Sequence, residues 1–196
     1  MSLKHYQDPE WLAWILEQAA EDCLAKTRQY NSDADVWRLW RPEDIGALAN
    51  PPVGGLVNKQ YYLAVVLPPA VATVMIAFRV PAGIGITFMG MWFASYGGVG
   101  DLGMGSVYEI NVNTVKRQEI PLRGEKAHTM AVESIRQGGM FGDLWMRVIC
   151  LEQFVFCRQN DFVQIDLFCK HGYTGQVEFW PIAVIAGNRK QLLVAE

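Results

Sequence analysis

A chain of 196 residues, 51% apolar and 12% aromatic, is long enough for one well-filled domain with an appendage, and leaves apolar surface for partners. Its formal charge of -3 argues against a dominant phosphate-binding surface, though a local basic patch remains compatible with it. Cys23, Cys150, Cys157 and Cys169 form no CxxC pair and sit in apolar runs, so reduced, buried thiols are expected in place of a disulfide framework.

His5, Asp8 and Glu10 occupy the region where a signal peptide would carry its apolar core. Asp8-Pro9-Glu10 reads as a helix start, with an acceptor at the N-cap, proline at the first helical position and an acid near the positive dipole end. Leu12, Ile15, Leu16, Ala19 and Cys23 then recur at helical spacing, flanked by Trp11 and Trp14, and the helix is expected to end near residues 27–29. Such a helix serves equally as a lid on its own domain or as a docking element for a neighbouring subunit.

The pattern lapses from residue 30 to residue 59. Trp37, Leu39 and Trp40 are interleaved with Arg38 and Arg41, and Asn50-Pro51-Pro52-Val53-Gly54-Gly55 forbids regular structure. A connection of about thirty residues without clear structure is either functional or extended. It is read as an arm lying on another subunit, with Trp11, Trp14, Trp37, Arg38, Trp40 and Arg41 as partner-binding anchors. The division expected is a helix and extended arm over 1–59 and a β domain over 60–196.

Beyond residue 60 the signal is almost all strand. Residues 61–67 form one run, and Val74, Ile76, Phe78 and Val80 alternate with Met75, Ala77 and Arg79. Pro81-Ala82-Gly83 breaks that run before a second over 84–94; a glycine loop over 97–105 precedes Tyr108, Ile110 and Val112. A weaker run covers 128–135, and 144–151 with 154–157 reads as one strand bent near Glu152-Gln153. Residues 162–169 alternate, Gly172-Tyr173-Thr174-Gly175 turns the chain, and 177–186 closes the set, with Pro181 marking an edge strand or a bulge. The fold expected is mainly β, an antiparallel jelly-roll-like sandwich of about eight or nine strands with an N-terminal α-helix and extended arm. Residues 60–78 and 80–100 hold no charge and are long enough to span a bilayer, but Pro68-Pro69, the glycines and the alternation favour sheet over membrane helix.

Chemistry-bearing patterns are sparse. Gly98-Val99-Gly100-Asp101-Leu102-Gly103 has the letters of a dinucleotide fingerprint, but strand signal follows where a helix N-terminus is needed. Cys169 and His171 with Cys157 form the nearest approach to a metal set, and Glu109, Asp166 and Glu178 the nearest to paired strand acids; each is read as structural. No catalytic residue, cofactor or metal is therefore assigned, and no enzyme activity is expected. Tyr96 and Tyr173 are candidate ligand-stacking residues on loops at 96–105 and 172–175, where packing is the commoner fate of such rings.

Phe78-Arg79-Val80-Pro81-Ala82-Gly83, then Gly90-Met91-Trp92, a glycine loop and Tyr108-Glu109-Ile110-Asn111-Val112-Asn113 together resemble β-sandwich proteins of tailed-bacteriophage virions. Arg158-Gln159-Asn160-Asp161-Phe162-Val163-Gln164-Ile165 looks like their second turn-to-strand element, with Asn160-Asp161 for the more usual Gly-Asp and Asn113-Thr114 for the usual Asn-Gly. The resemblance covers residues 74–186 and implies a virion structural role: a capsid decoration (cement) protein, or a collar, head-fibre or neck component. It implies assembly with itself and with major capsid or neck proteins, no direct contact with nucleic acid or membrane, and synthesis in the host cytoplasm. The alternative is a carbohydrate-binding module for host-surface recognition.

Overall fold

The computed structural model describes residues 9–40, 62–100, 107–121, 128–130 and 145–192. Helix α1 (Pro9–Arg28) leads, followed by β1 (Val36–Leu39), β2 (Tyr62–Leu67), β3 (Val71–Arg79), β4 (Gly85–Gly100) and β5 (Val107–Val112). Then come β6 (Val115–Pro121), β7 (His128–Met130), β8 (Trp145–Cys157), β9 (Phe162–Cys169), β10 (Tyr173–Gly187) and a single turn, α2 (Arg189–Leu192).

Two antiparallel sheets form the sandwich. One contains β2-β10-β4-β8, widened by β1 beside β10 and β7 beside β8; the other runs β3-β9-β5-β6. Except between β5 and β6, and between β7 and β8, each step from β2 onward crosses to the opposite sheet. The pairing is nested: β5 with β6 at the tip, then β4 with β8, β3 with β9, and β2 with β10. The chain is thus one long hairpin ribbon, rolled until β4 meets β10 and β5 meets β9. That is the jelly-roll connection expected from the run of strands without intervening helices.

Period-two alternation supplies the core. Tyr108, Ile110 and Val112 from β5 and Val163, Ile165, Leu167 and Cys169 from β9 face Ile86 and Phe88 from β4 and Ala183 and Ile185 from β10. In β3 a register shift between Val74 and Ile76 turns both Met75 and Ile76 inward. Simple alternation put Val74 inside; the bulge leaves it exposed.

Helix α1 closes the outer face of the larger sheet. Ala19, Ala20 and Cys23 pack with Met89, Val184 and Ala186, bordered by Leu16, Leu24, Trp37 and Phe156. Small residues at the contact let the helix approach closely: a methyl on Gly85 would overlap Thr27 and lie 2.8 Å from the Tyr30 hydroxyl. Of the two roles left open for this helix, the lid is the one it fills within the chain.

Several boundaries differ from the sequence-based expectation. Residues 36–39, read as part of an unstructured arm, are a strand in register with β10, from Val36 opposite Gly187 to Leu39 opposite Val184. Strand β6 was not anticipated. Residues 97–100, read as loop, extend β4, because their partners 173–175 extend β10. The irregularity placed near Glu152-Gln153 is present: residues 151–154 of β8 lie opposite Met89 alone. Pro181 lies inside an interior strand, not an edge one. It lies within 179–182, which among the described residues pair with neither β1 nor β2, next to a bulge at Ile182/Ala183, so among those residues its missing N–H breaks no ladder on that flank. Among the described residues no helix is long and apolar enough to cross a membrane.

Candidate functional site: a bonded platform of turns

The turns singled out in the sequence meet at one end of the sandwich. Asn113 and Thr114 form the two-residue β5–β6 hairpin with φ of 52° and 66°, and Asn160 in the β8–β9 turn has φ of 68°. Gly83, in the β3–β4 turn, has φ of 77°. Two positive φ values in a two-residue hairpin define a type I′ turn, which asparagine tolerates well and a β-branched threonine adopts only at a cost.

These turns are tied to one another through the backbone. Asn160 N–H donates to Val80 O (2.8 Å), and Val80 N–H donates to Asp161 O (2.9 Å). Asn113 N–H donates to Phe162 O (2.8 Å), while Phe162 N–H donates to Asn113 Oδ1 (2.9 Å). Asp161 is the hub: its carboxylate accepts from Asn113 Nδ2 (2.7 Å) and from the Arg158 backbone N–H (2.9 Å). Carboxylate acceptors make these bonds stronger than neutral ones.

A second tier fixes the β3–β4 turn. Gly83 N–H donates to Gln159 Oε1 (2.8 Å), Asn31 Nδ2 donates to Gly83 O (2.7 Å), and the Tyr30 hydroxyl donates to Ile84 O (3.0 Å). Gln191 Nε2 from α2 donates to Ala82 O (3.1 Å). The segment after α1 and the turn after β10 are therefore fastened to the same platform. A pocket of about 430 Å³ opens on it, lined by Tyr30, Arg158, Gln159, Asn160 and Asp161. Arg79 donates to Asn160 O (2.7 Å), and the exposed Arg158 side chain lies 3.8 Å from the buried Asp161, a long and therefore weak ion pair.

On the outer face of the smaller sheet, Glu109 and Asp166 are directly opposed on β5 and β9. Like charges in that position repel. Lys116 pairs with Glu109; Asn111 Nδ2 (2.9 Å) and Gln164 Nε2 (2.8 and 2.9 Å) donate to Asp166. Asp166 is only 6% exposed, and burial raises its pKa above the ordinary carboxylate value, against the Gln164 and Asn111 bonds. Of the three strand acids, Glu178 lies in the other sheet, so the set shares no groove.

The expected anchors disperse. Trp40 is 4% exposed and sits between the sheets, its ring centroid 5.5 Å from Phe78 and 6.1 Å from Phe88. It is a core residue of its own chain, not a surface anchor, because the strand leading to it is spliced onto β10. Trp37 packs beside α1, and Arg38 donates to Leu192 O (2.9 Å) and Leu39 O (3.0 Å). Trp14 stays on the surface, 57% exposed. Trp11 lies on α1, and Arg41 falls outside the described residues.

The loops carrying Tyr96 and Tyr173 reach the end opposite the platform, where Gly100 pairs with Tyr173 and Tyr96 with Gln176. Tyr173 is buried, and that burial raises its pKa; its ring is not open to a ligand. The other fingerprint-like reading loses its geometry too, since Gly98 and Gly100 are strand residues.

Cys23, Cys157 and Cys169 are buried and in no disulfide. Burial lifts the Cys23 thiol to about 11 and the Cys157 thiol further, so both stay protonated and inert. Cys157 is at the platform end and Cys169 at the other, and among the described residues no three His, Cys, Asp or Glu side chains converge on a metal position. The platform residues Asn31, Gln159 and Asp161 were missed as a group; the signal was their turn chemistry, but nothing local says which turns meet.

Comparison of the chain with protein-family models, curated proteins and solved structures finds no match.

Proposed function

We propose that the protein is a non-enzymatic structural component of a tailed-bacteriophage virion, a capsid decoration or head–neck (collar) protein, made in the host cytoplasm and built into the particle. The observation that carries this reading is the platform. The three turn segments behind the sequence resemblance, around Val80–Gly83, Asn113-Thr114 and Arg158–Asp161, are bonded to each other, to the segment after α1 and to α2.

A surface held in one conformation before contact loses little entropy on docking, which suits repeated, identical contacts in a symmetric shell. Its partners are other copies of the chain and capsid or neck proteins, not nucleic acid or membrane. Trp14 on α1 is an exposed aromatic available to them.

Arg158→Glu tests the reading, because this exposed guanidinium changes sign with the turn's backbone bonds retained. Particles assembled with the variant are expected to contain several-fold less of the protein at unchanged thermal stability. Wild-type protein missing from purified particles would defeat the proposal.

A carbohydrate-binding module is the second reading, favoured by the polar pocket beside Tyr30. Tyr30→Phe and Asn160→Ala should then abolish signal on a glycan array; a blank array with wild-type protein removes it.

A further inference from the structure

The borders of the two sheets are not alike. On the smaller sheet, β6 carries Lys116, Arg117, Glu119 and Pro121 within its seven residues. On the larger, β7 is three residues long, and β1 is four with Arg38 among them. Charge, proline and shortness are the ordinary means by which a sheet edge is kept from pairing with another chain.

β3 has none of these. It is nine residues long, contains no proline, and carries no charge before Arg79 at its end. Among the described residues it pairs with β9 alone, and Val71 (49%) and Val74 (43%) are exposed on it. β2, joined to it through Pro68-Pro69-Ala70, borders the larger sheet on the same flank and is also uncharged.

An open strand edge presents unpaired N–H and C=O groups in alternation, and their complement is the backbone of another extended strand. We propose that β3 is a pairing edge, occupied by β3 of a second copy of this chain across a two-fold axis, so that two four-stranded sheets become one eight-stranded sheet.

Three observations select the second copy. A two-fold axis normal to the sheet sets a strand antiparallel to itself, which is the sense of every pairing in this fold. The segment is uncharged, so self-pairing brings no like charges together. The bulge after Val74 confines regular pairing to Val71–Met75, centred on Thr73, which places the two Arg79 side chains about 40 Å apart at ~3.3 Å per residue. In that register Val74 of each copy adjoins Ala72 of the other on the outer face. The proposal holds whether or not the protein is a virion component.

Sedimentation velocity on the full chain tests it, with circular dichroism to establish folding. Wild type is expected to be dimeric. Val74→Lys should weaken association by more than about tenfold by placing two ammonium groups at the axis. Val115→Lys, on the exposed opposite border β6, should leave it unchanged. A wild-type monomer at all concentrations overturns the proposal, as does a folded Val74→Lys protein that associates like wild type. Should Val74→Lys fail to fold, Thr73→Cys decides: residues facing each other at the axis lie about 5 Å apart and form an interchain disulfide under mild oxidation. No crosslink beyond that of oxidised wild type overturns the pairing.

Discussion

Thr114 holds a φ of 66° in a turn that favours glycine, and its hydroxyl donates to Asn113 O at 2.6 Å. A left-handed β-branched residue costs on the order of 1–3 kcal/mol, part of which glycine returns through its looser unfolded state. Thr114→Gly is expected to raise unfolding stability by roughly 0.5–1 kcal/mol in urea titration, with the platform bonds retained. A loss of stability would mean that the threonine is not strained. The tryptophans carry the same lesson at this scale. Trp14, Trp37 and Trp40 sit in similar surroundings of charge and apolar residues in sequence, yet one is exposed, one half-buried and one in the core. Local composition has no term that separates them. What separates them is whether a second segment arrives to cover the ring.

At the scale of elements, α1 shows what a local pattern can and cannot say. Its start, its apolar stripe and its end near Arg28 follow from proline placement and helical spacing. Its docking position depends on a residue far away, Gly85, which leaves room for Thr27 and Tyr30. Gly85→Ala should therefore displace the last turn of the helix and destabilise the fold by about 1–3 kcal/mol, the usual result of forcing atoms into a packed contact. The expected readout is a lower urea midpoint with faster amide exchange over residues 19–30; unchanged exchange there would disprove the close approach. Pro181 illustrates the converse. Sequence marked a discontinuity at that position, and among the described residues it falls between the partners of β2 and those of β1 along one flank of β10.

For the whole molecule, the rolled ribbon makes the ends of the chain interdependent. Tyr62–Leu67 must find residues 173–178, and Val36–Leu39 must find 184–187, before the larger sheet is complete. Trp40 binds the N-terminal segment into the same core. Trp40→Ala is expected to cost about 3–5 kcal/mol and to loosen β1 along with the inter-sheet core, measured by urea unfolding and by amide exchange of residues 36–39. A cost below about 1 kcal/mol would return residues 36–40 to the role of a detachable arm.

Most of the strands, the helix and the turn residues were determined by the sequence alone, because alternation, helical spacing and turn chemistry act between near neighbours. Tertiary structure alone decided that β1 joins the sheet, that Trp40 is core, that Glu109 meets Asp166, and that three turns form one bonded platform. Each of those depends on which distant segments become adjacent when the ribbon rolls, and adjacency between segments so far apart in sequence leaves no periodic trace in the chain.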